Sequence, residues 1–125
     1  MNTKPLILTI DRNRRNLELL GQFLKEQGYT TLSGSTVEDF DQILLRTEEF
    51  GLALVDISGF DRGIWALCEK LTDQGVPLLV ISPQQIPQIQ QESLAHGAHG
   101  VLFKPLVVKQ LVSVIQTMIR DVSSE

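Results

Sequence analysis

Residues Gly51-Leu52-Ala53-Leu54-Val55 form an apolar run that leads directly into Asp56. Residues 5–10 form a second apolar run, and Asp11 follows it in the same way. Short apolar runs bounded by polar residues and turn signals are typical of strands buried in a sheet. The sequence therefore predicts that both aspartates lie at the ends of buried strands.

The rest of the chain alternates between short apolar runs and longer stretches in which apolar residues recur with helical spacing. Further strands are predicted at residues 29–32, 78–81 and 101–103. Helices are predicted at residues 17–24, 37–44, 64–71, 87–94 and 108–122. Strands and helices that alternate in this way predict an α/β domain, with a parallel sheet covered by helices on both faces.

The composition restricts the class of protein. The chain has 125 residues, 42% hydrophobic and 21% charged, so one globular domain over residues 1–125 is expected. A net charge of −4, with Lys and Arg scattered along the chain, argues against binding to nucleic acid or an anionic membrane. With one cysteine, no apolar run of membrane-spanning length and no signal-peptide pattern, we expect a soluble cytoplasmic protein whose partners are proteins.

Several polar residues follow the predicted strands. In parallel α/β sheets the ligand site lies beyond the carboxyl ends of the strands. Residues expected at that edge are Asp11, Arg12, Asp56, Ser82 and Lys104. Any one of them alone would ordinarily be a solvent-exposed loop residue. Together they suit a phosphoryl group and its cation, and a carboxylate such as Asp56 can attack phosphorus to form an acyl phosphate.

Four segments resemble, in chain order, the signatures of two-component response-regulator receiver domains: residues 6–11, 52–56, 76–82 and 97–106. The resemblance covers nearly the whole chain and implies a single-domain, doubly wound, flavodoxin-like (βα)5 fold with strand order 2-1-3-4-5. It implies a receiver that accepts a phosphoryl group from a histidine kinase or phosphotransfer protein and then switches its binding to a downstream protein, and we expect no output domain within residues 1–125. It does not imply an enzyme, and we expect a monomer or a weak dimer.

The resemblance also implies roles for residues at the sheet edge. Asp56 corresponds to the phosphoacceptor, Ser82 to the switch hydroxyl and Lys104 to the lysine that contacts the phosphate. Mg²⁺ would be held by the carboxylates of Asp11 and Asp56 and by the backbone carbonyl of Ser58. The resemblance implies no other cofactor.

The chain departs from the family pattern beside these residues. Receivers usually carry two consecutive acids after the first strand, whereas this chain has Arg12 in the second place. A guanidinium offers no ligand to Mg²⁺, so metal affinity should fall. Arg12 could pair with Asp56 or Asp11 and take the cation's place, or extend into solvent, and the sequence leaves both arrangements open. Phe60 in the loop after the phosphoacceptor and Val101 at the usual aromatic switch position are further departures.

These departures leave two alternatives to the leading hypothesis of a phosphorylation-switched receiver. If Arg12 occupies the pocket, the chain would be a pseudo-receiver, a protein-interaction module that is not phosphorylated because Arg12 displaces Mg²⁺. A small phosphatase working through an aspartyl phosphate is a weaker alternative. It needs a general acid two residues after the nucleophile, and Ser58 stands there.

Overall fold

The computed structural model describes residues 6–45 and 49–123 of the chain. The strands are β1 (Leu6–Ile10), β2 (Thr30–Gly34), β3 (Phe50–Asp56), β4 (Leu78–Ser82) and β5 (Gly100–Phe103). The helices are α1 (Arg14–Glu26), α2 (Val37–Leu44), α3 (Gly63–Asp73), α4 (Pro87–Ala95) and α5 (Val108–Ser123). The strands form one parallel sheet in the order β2-β1-β3-β4-β5, which confirms the predicted fold. The predicted first strand also included residue 5, which lies outside the described residues.

The central strand β3 contributes to both hydrophobic cores. Ala53 and Val55 pack on one face of the sheet with side chains of α2 and α3. Leu52 and Leu54 pack on the other face with side chains of α1 and α5. All four are at most 1% exposed. A parallel strand buried on both faces has a continuous apolar sequence, which is why residues 51–55 identify the fold.

The longest helix, α5, is amphipathic. Leu111, Ile115 and Ile119 are buried against the sheet, whereas Gln116 and Thr117 are exposed. The apolar stripe predicted for the end of the chain is thus the core-facing side of α5. In the part of the chain that the structure describes, no helix is long and apolar enough to cross a membrane.

The connection from α4 to β5 passes close to α3 at Gly97. The backbone there has φ +104°, a left-handed conformation that favours glycine. A Cβ atom at this position would lie 2.0 Å from Oγ1 of Thr72. Thr72 is held in place because its hydroxyl donates a hydrogen bond to the carbonyl of Cys68 at 2.9 Å. Gly97 therefore ends α4, as predicted, and also makes room for α3.

Candidate functional site

Four neighbouring strands, β1, β3, β4 and β5, end at the same edge of the sheet. The residues that follow or end them are Asp11, Asp56, Ser82 and Lys104. Asp11, Asp56 and Ser82 are 8%, 2% and 0% exposed, respectively. Asp11, Asp56 and Lys104 line one pocket, where charges interact more strongly than they would in water, and Ser82 lies at the same edge of the sheet.

Asp56 and Lys104 form an ion pair. Nζ of Lys104 lies 2.5 Å from Oδ2 of Asp56, and the backbone N–H of Ser58 donates a hydrogen bond to Oδ1 of Asp56 at 2.9 Å. The Lys104–Pro105 peptide bond is cis, and the backbone N–H of Lys104 donates to the carbonyl of Ser82 at 2.9 Å. Each carboxylate oxygen of Asp56 therefore has its own donor. The Ser58 N–H bonds to Oδ1, and the charged ammonium of Lys104 contacts Oδ2.

Asp11 is the second carboxylate of the pocket. Its Oδ1 accepts a hydrogen bond from the backbone N–H of Asn13 at 2.8 Å. Asn13 is the N-cap of α1, and its side chain accepts from the N–H of Asn16 at 3.1 Å. Asn13 was not singled out from the sequence, although an Asn before an amphipathic stretch is a known start signal for a helix. The cap ties the loop that carries Asp11 to the first turn of α1.

The electrostatic environment of Asp11 is unfavourable for its charge. Burial raises the pKa of Asp11 above its ordinary value, and the nearby charge of Asp56 raises it further, while the hydrogen bond from the Asn13 N–H acts in the opposite direction. Among the described residues no ion pair involves Asp11. Lys104 thus pairs directly with Asp56, whereas its charge acts on Asp11 without a direct ion pair among the described residues.

The Ser82 hydroxyl is turned toward its own loop. Its Oγ donates a hydrogen bond to the carbonyl of Gln84 at 2.8 Å and accepts one from the N–H of Gln84 at 3.2 Å. The position expected for a switch hydroxyl is thus occupied, but the hydroxyl bonds to the backbone two residues later. The sequence could not indicate this, because a serine hydroxyl can bond to many nearby backbone groups.

Arg12 lies outside the pocket. The residue is exposed, and its Cζ is 5.8 Å from the ring centroid of Phe60, within the range of a cation–π contact. The aliphatic part of the Arg12 side chain passes close to Gly59. A Cβ atom added at Gly59 would lie 3.6 Å from Cγ of Arg12. Of the two arrangements that the sequence left open for Arg12, the structure has the one away from Asp11 and Asp56, with Phe60 as its partner.

The oxygen donors at this edge fit Mg²⁺. The carboxylates of Asp11 and Asp56 and the backbone carbonyl of Ser58 are the hard ligands that Mg²⁺ prefers, and Mg²⁺ commonly retains several waters. Within residues 6–45 and 49–123 no cluster of three or more His, Cys, Asp or Glu side chains could hold a metal. A metal here would thus depend on two carboxylates and a backbone oxygen. The Ser58 hydroxyl is buried and has no hydrogen-bond partner in the described part of the chain.

Comparison with known proteins places this arrangement in a family. The sequence model of the response regulator receiver domain matches residues 7–116. The two-component response regulator ARR12 of Arabidopsis thaliana is 21% identical over 117 residues. That match covers 92% of this chain but 20% of the Arabidopsis protein, so the chain spans a fifth of its relative's length.

Solved structures share the same fold. A CheY-like response regulator receiver domain protein from Methanospirillum hungatei JF-1 has a TM-score of 0.84 at 24% identity, over 94% of this chain and 95% of that chain. A response regulator protein from Burkholderia pseudomallei, solved with a phosphorylated aspartic acid, a calcium ion and citrate, has a TM-score of 0.80 at 23% identity, over 97% of this chain and 72% of that chain. At such identities the structures establish a likeness of fold alone.

Proposed function

This chain belongs to the receiver domains of two-component response regulators, and on that premise we propose that it is a signalling switch phosphorylated on Asp56. The observation that carries the proposal is the Lys104–Asp56 contact of 2.5 Å. An ammonium group at that distance can neutralise oxygens of a phosphoryl group on Asp56. Because Arg12 lies over Phe60, its charge does not take the place of a metal cation.

The proposed phosphodonor is a phosphohistidine of a histidine kinase or phosphotransfer protein. A carboxylate oxygen of Asp56 attacks phosphorus, an O–P bond forms and the P–N bond to the donor imidazole breaks. The imidazole leaves with the bonding electron pair and takes a proton from solvent. Receiver domains generally bind Mg²⁺ at their acidic pocket, and here Asp11, Asp56 and the Ser58 carbonyl would hold it, where it would offset the charge of the transferring group.

We propose that the phosphorylated chain acts on protein partners in the cytoplasm rather than as an enzyme. A phosphatase would need a general acid close to the acyl phosphate, and the candidate position holds the hydroxyl of Ser58. That hydroxyl is buried and has no bonding partner among the described residues that could activate it. The phosphatase alternative has no support from this geometry.

The second candidate is a pseudo-receiver whose partners do not respond to phosphorylation; the reason that the sequence suggested for it, displacement of Mg²⁺ by Arg12, does not hold because Arg12 lies over Phe60. It is favoured by the orientation of Ser82, whose hydroxyl bonds to Gln84, and by Val101, which is a half-buried aliphatic residue packed against the core. Neither feature prevents phosphorylation of Asp56. Both features instead affect whether phosphorylation of Asp56 changes the surface to which a partner protein binds.

The experiment is intact-mass measurement after incubation with acetyl phosphate and Mg²⁺. We expect one phosphoryl group on the wild-type chain and none on Asp56→Asn. A Lys104→Met variant should retain the phosphoacceptor but react more slowly. Absence of any adduct on the wild-type chain over a wide range of Mg²⁺ concentrations would overturn the proposal and favour the pseudo-receiver.

A further inference from the structure

Asn16, in the first turn of α1, faces the acidic pocket. Its backbone N–H donates a hydrogen bond to the side chain of Asn13 at 3.1 Å, which fixes the start of the helix. Residues four and seven positions apart share one face of a helix, and Asn16, Leu20 and Phe23 all line the cavity between α1 and α5. The side chain of Asn16 therefore lies in the same cavity as the carboxylate of Asp11.

The side-chain amide of Asn16 is bonded to Asp11. Burial raises the pKa of Asp11, whereas hydrogen bonds from the Asn13 N–H and from the Asn16 side chain act in the opposite direction. A hydrogen bond that favours the charged carboxylate comes from a donor, so Nδ2 of Asn16 is the bonding atom. Its Oδ1 can accept two hydrogen bonds and accepts none from the residues that the structure describes.

No other polar side chain of the cavity can replace this acceptor. The polar side chains that line the cavity are Asp11, Asn16, Asp56 and Lys104. Lys104 has donors only, and it pairs with Asp56 at 2.5 Å. Arg12, which stands in the place of a family acid, lies over Phe60. Among the described residues that line the cavity, Asn16 is thus the one uncharged polar side chain.

A metal site with few protein ligands depends on the groups around those ligands. Mg²⁺ held by Asp11, Asp56 and the Ser58 carbonyl would keep several waters, whose protons need acceptors. Groups that hydrogen-bond to metal ligands fix their orientation, and their loss typically lowers metal affinity roughly 10- to 100-fold. An amide beside a ligating carboxylate can donate to that carboxylate and accept from a water at the same time.

We propose that Asn16 is a positioning residue of the Mg²⁺ site. Its Nδ2 orients the carboxylate of Asp11, and its Oδ1 accepts a hydrogen bond from a water bound to the metal. The inference rests on the metal site of the proposed function, but it does not require that Asp56 be phosphorylated. It assigns to α1 a contribution to metal binding that Arg12, turned away from the pocket, does not make.

Calorimetric titration of Mg²⁺ into the chain, without phosphodonor, measures this role. Asn16→Ala should raise the Mg²⁺ Kd by about tenfold or more, because both hydrogen bonds are lost. Gln22→Ala is the matched control, since Gln22 is an exposed amide of α1 that does not line the cavity. Its Mg²⁺ Kd should stay within about twofold of the wild-type value.

Two further measurements separate a positioning role from a structural one. Amide spectra of metal-free Asn16→Ala should differ from the wild type only near the first turn of α1 and the loop that carries Asp11. Asn16→Asp keeps an oxygen acceptor and adds a negative charge, so its Mg²⁺ Kd should be at least about tenfold lower than that of Asn16→Ala. Gln22→Glu adds the same charge outside the cavity and should change the Kd by about twofold or less.

Four outcomes would overturn the proposal. They are wild-type Mg²⁺ affinity in Asn16→Ala, equal weakening by Gln22→Ala, no recovery in Asn16→Asp, and no binding of Mg²⁺ by the wild-type chain. Failure of the proposed phosphorylation would look different. A wild-type chain that binds Mg²⁺ with the expected dependence on Asn16, but gains no phosphoryl group on Asp56, would contradict the proposed function and support the role of Asn16.

Discussion

The guanidinium carbon of Arg12 lies 5.8 Å from the ring centre of Phe60, so the cation that replaces an acid of the family pattern is held by an aromatic ring in a neighbouring loop. Both residues depart from the usual receiver sequence. The structure pairs the two departures with each other. Phe60 in turn contacts Phe40 of α2, with ring centroids 5.5 Å apart. We infer that Phe60 keeps Arg12 away from the acidic pocket.

Replacing Phe60 should therefore weaken Mg²⁺ binding. In Phe60→Leu the guanidinium of Arg12 loses its partner and can approach Asp11 and Asp56, where it opposes a divalent cation. An exposed cation–π contact contributes about 0.5 to 1 kcal/mol, so the Mg²⁺ Kd should rise by about twofold to fivefold. Tryptophan fluorescence or calorimetry can measure it. The same substitution in an Arg12→Ala background should have no effect, and an equal effect in both backgrounds would show that Arg12 is not involved.

Restoring an acid at position 12 should strengthen Mg²⁺ binding. Arg12→Asp removes a positive charge beside the pocket and adds a possible oxygen ligand, which should lower the Mg²⁺ Kd by about tenfold or more. Arg12→Asn is the control, since it removes the charge without adding a carboxylate. The inference of a metal site formed by Asp11, Asp56 and the Ser58 carbonyl would fail if neither variant changed metal affinity.

Asp11 should reduce the stability of the metal-free chain. Because burial and Asp56 raise its pKa in the folded state, the folded chain binds the proton of Asp11 more tightly than the unfolded chain does. At pH values below the pKa that Asp11 has in the unfolded chain, this destabilisation is absent. It grows as the pH rises toward the higher pKa that Asp11 has in the folded chain, and it is complete above that pKa. At neutral pH, Asp11→Asn should stabilise the chain by roughly 0.5 to 2 kcal/mol.

Urea unfolding without Mg²⁺, at neutral pH and near pH 3, measures this effect. The gain from Asp11→Asn should be present at neutral pH and small in acid. Asp41→Asn, at an exposed aspartate of α2, should change stability little at either pH. A gain of equal size at both pH values would indicate a cause other than the charge of Asp11.

Gly97 should tolerate alanine much less well than Gly75 does. Both residues have positive φ, at +104° and +79°, so alanine costs roughly 1 kcal/mol of conformational strain at either site. At Gly97 the added Cβ would also lie 2.0 Å from Thr72 Oγ1, whereas at Gly75 it meets nothing within 4 Å. We expect Gly97→Ala to lower the free energy of unfolding by at least about 2 kcal/mol more than Gly75→Ala. Similar losses in thermal unfolding would mean that α3 and the α4–β5 connection move apart easily.

Much of the fold and the positions of the site residues could be predicted because they depend on local pattern and topology. The apolar run 51–55 and the alternation of strands and helices determine the sheet, and the sheet brings Asp11, Asp56 and Lys104 to one edge. Side-chain directions could not be predicted in the same way. Arg12 points to Phe60, which is distant in sequence and follows a different strand. The cavity of about 740 Å³ between α1 and α5 could not be predicted either, because these helices and the sheet each contribute only part of its lining.

The two hydrogen bonds between Ser82 and Gln84 would set the resting population of the proposed switch. Rotation of the Ser82 hydroxyl toward Asp56 breaks both bonds, and each contributes about 1 kcal/mol. Without a phosphoryl group to accept a hydrogen bond in their place, the rotamer that points toward Asp56 would account for about a tenth of molecules or fewer. In the proposed switch, activation without phosphorylation would thus be limited by two hydrogen bonds to the backbone of Gln84 rather than by a large rearrangement.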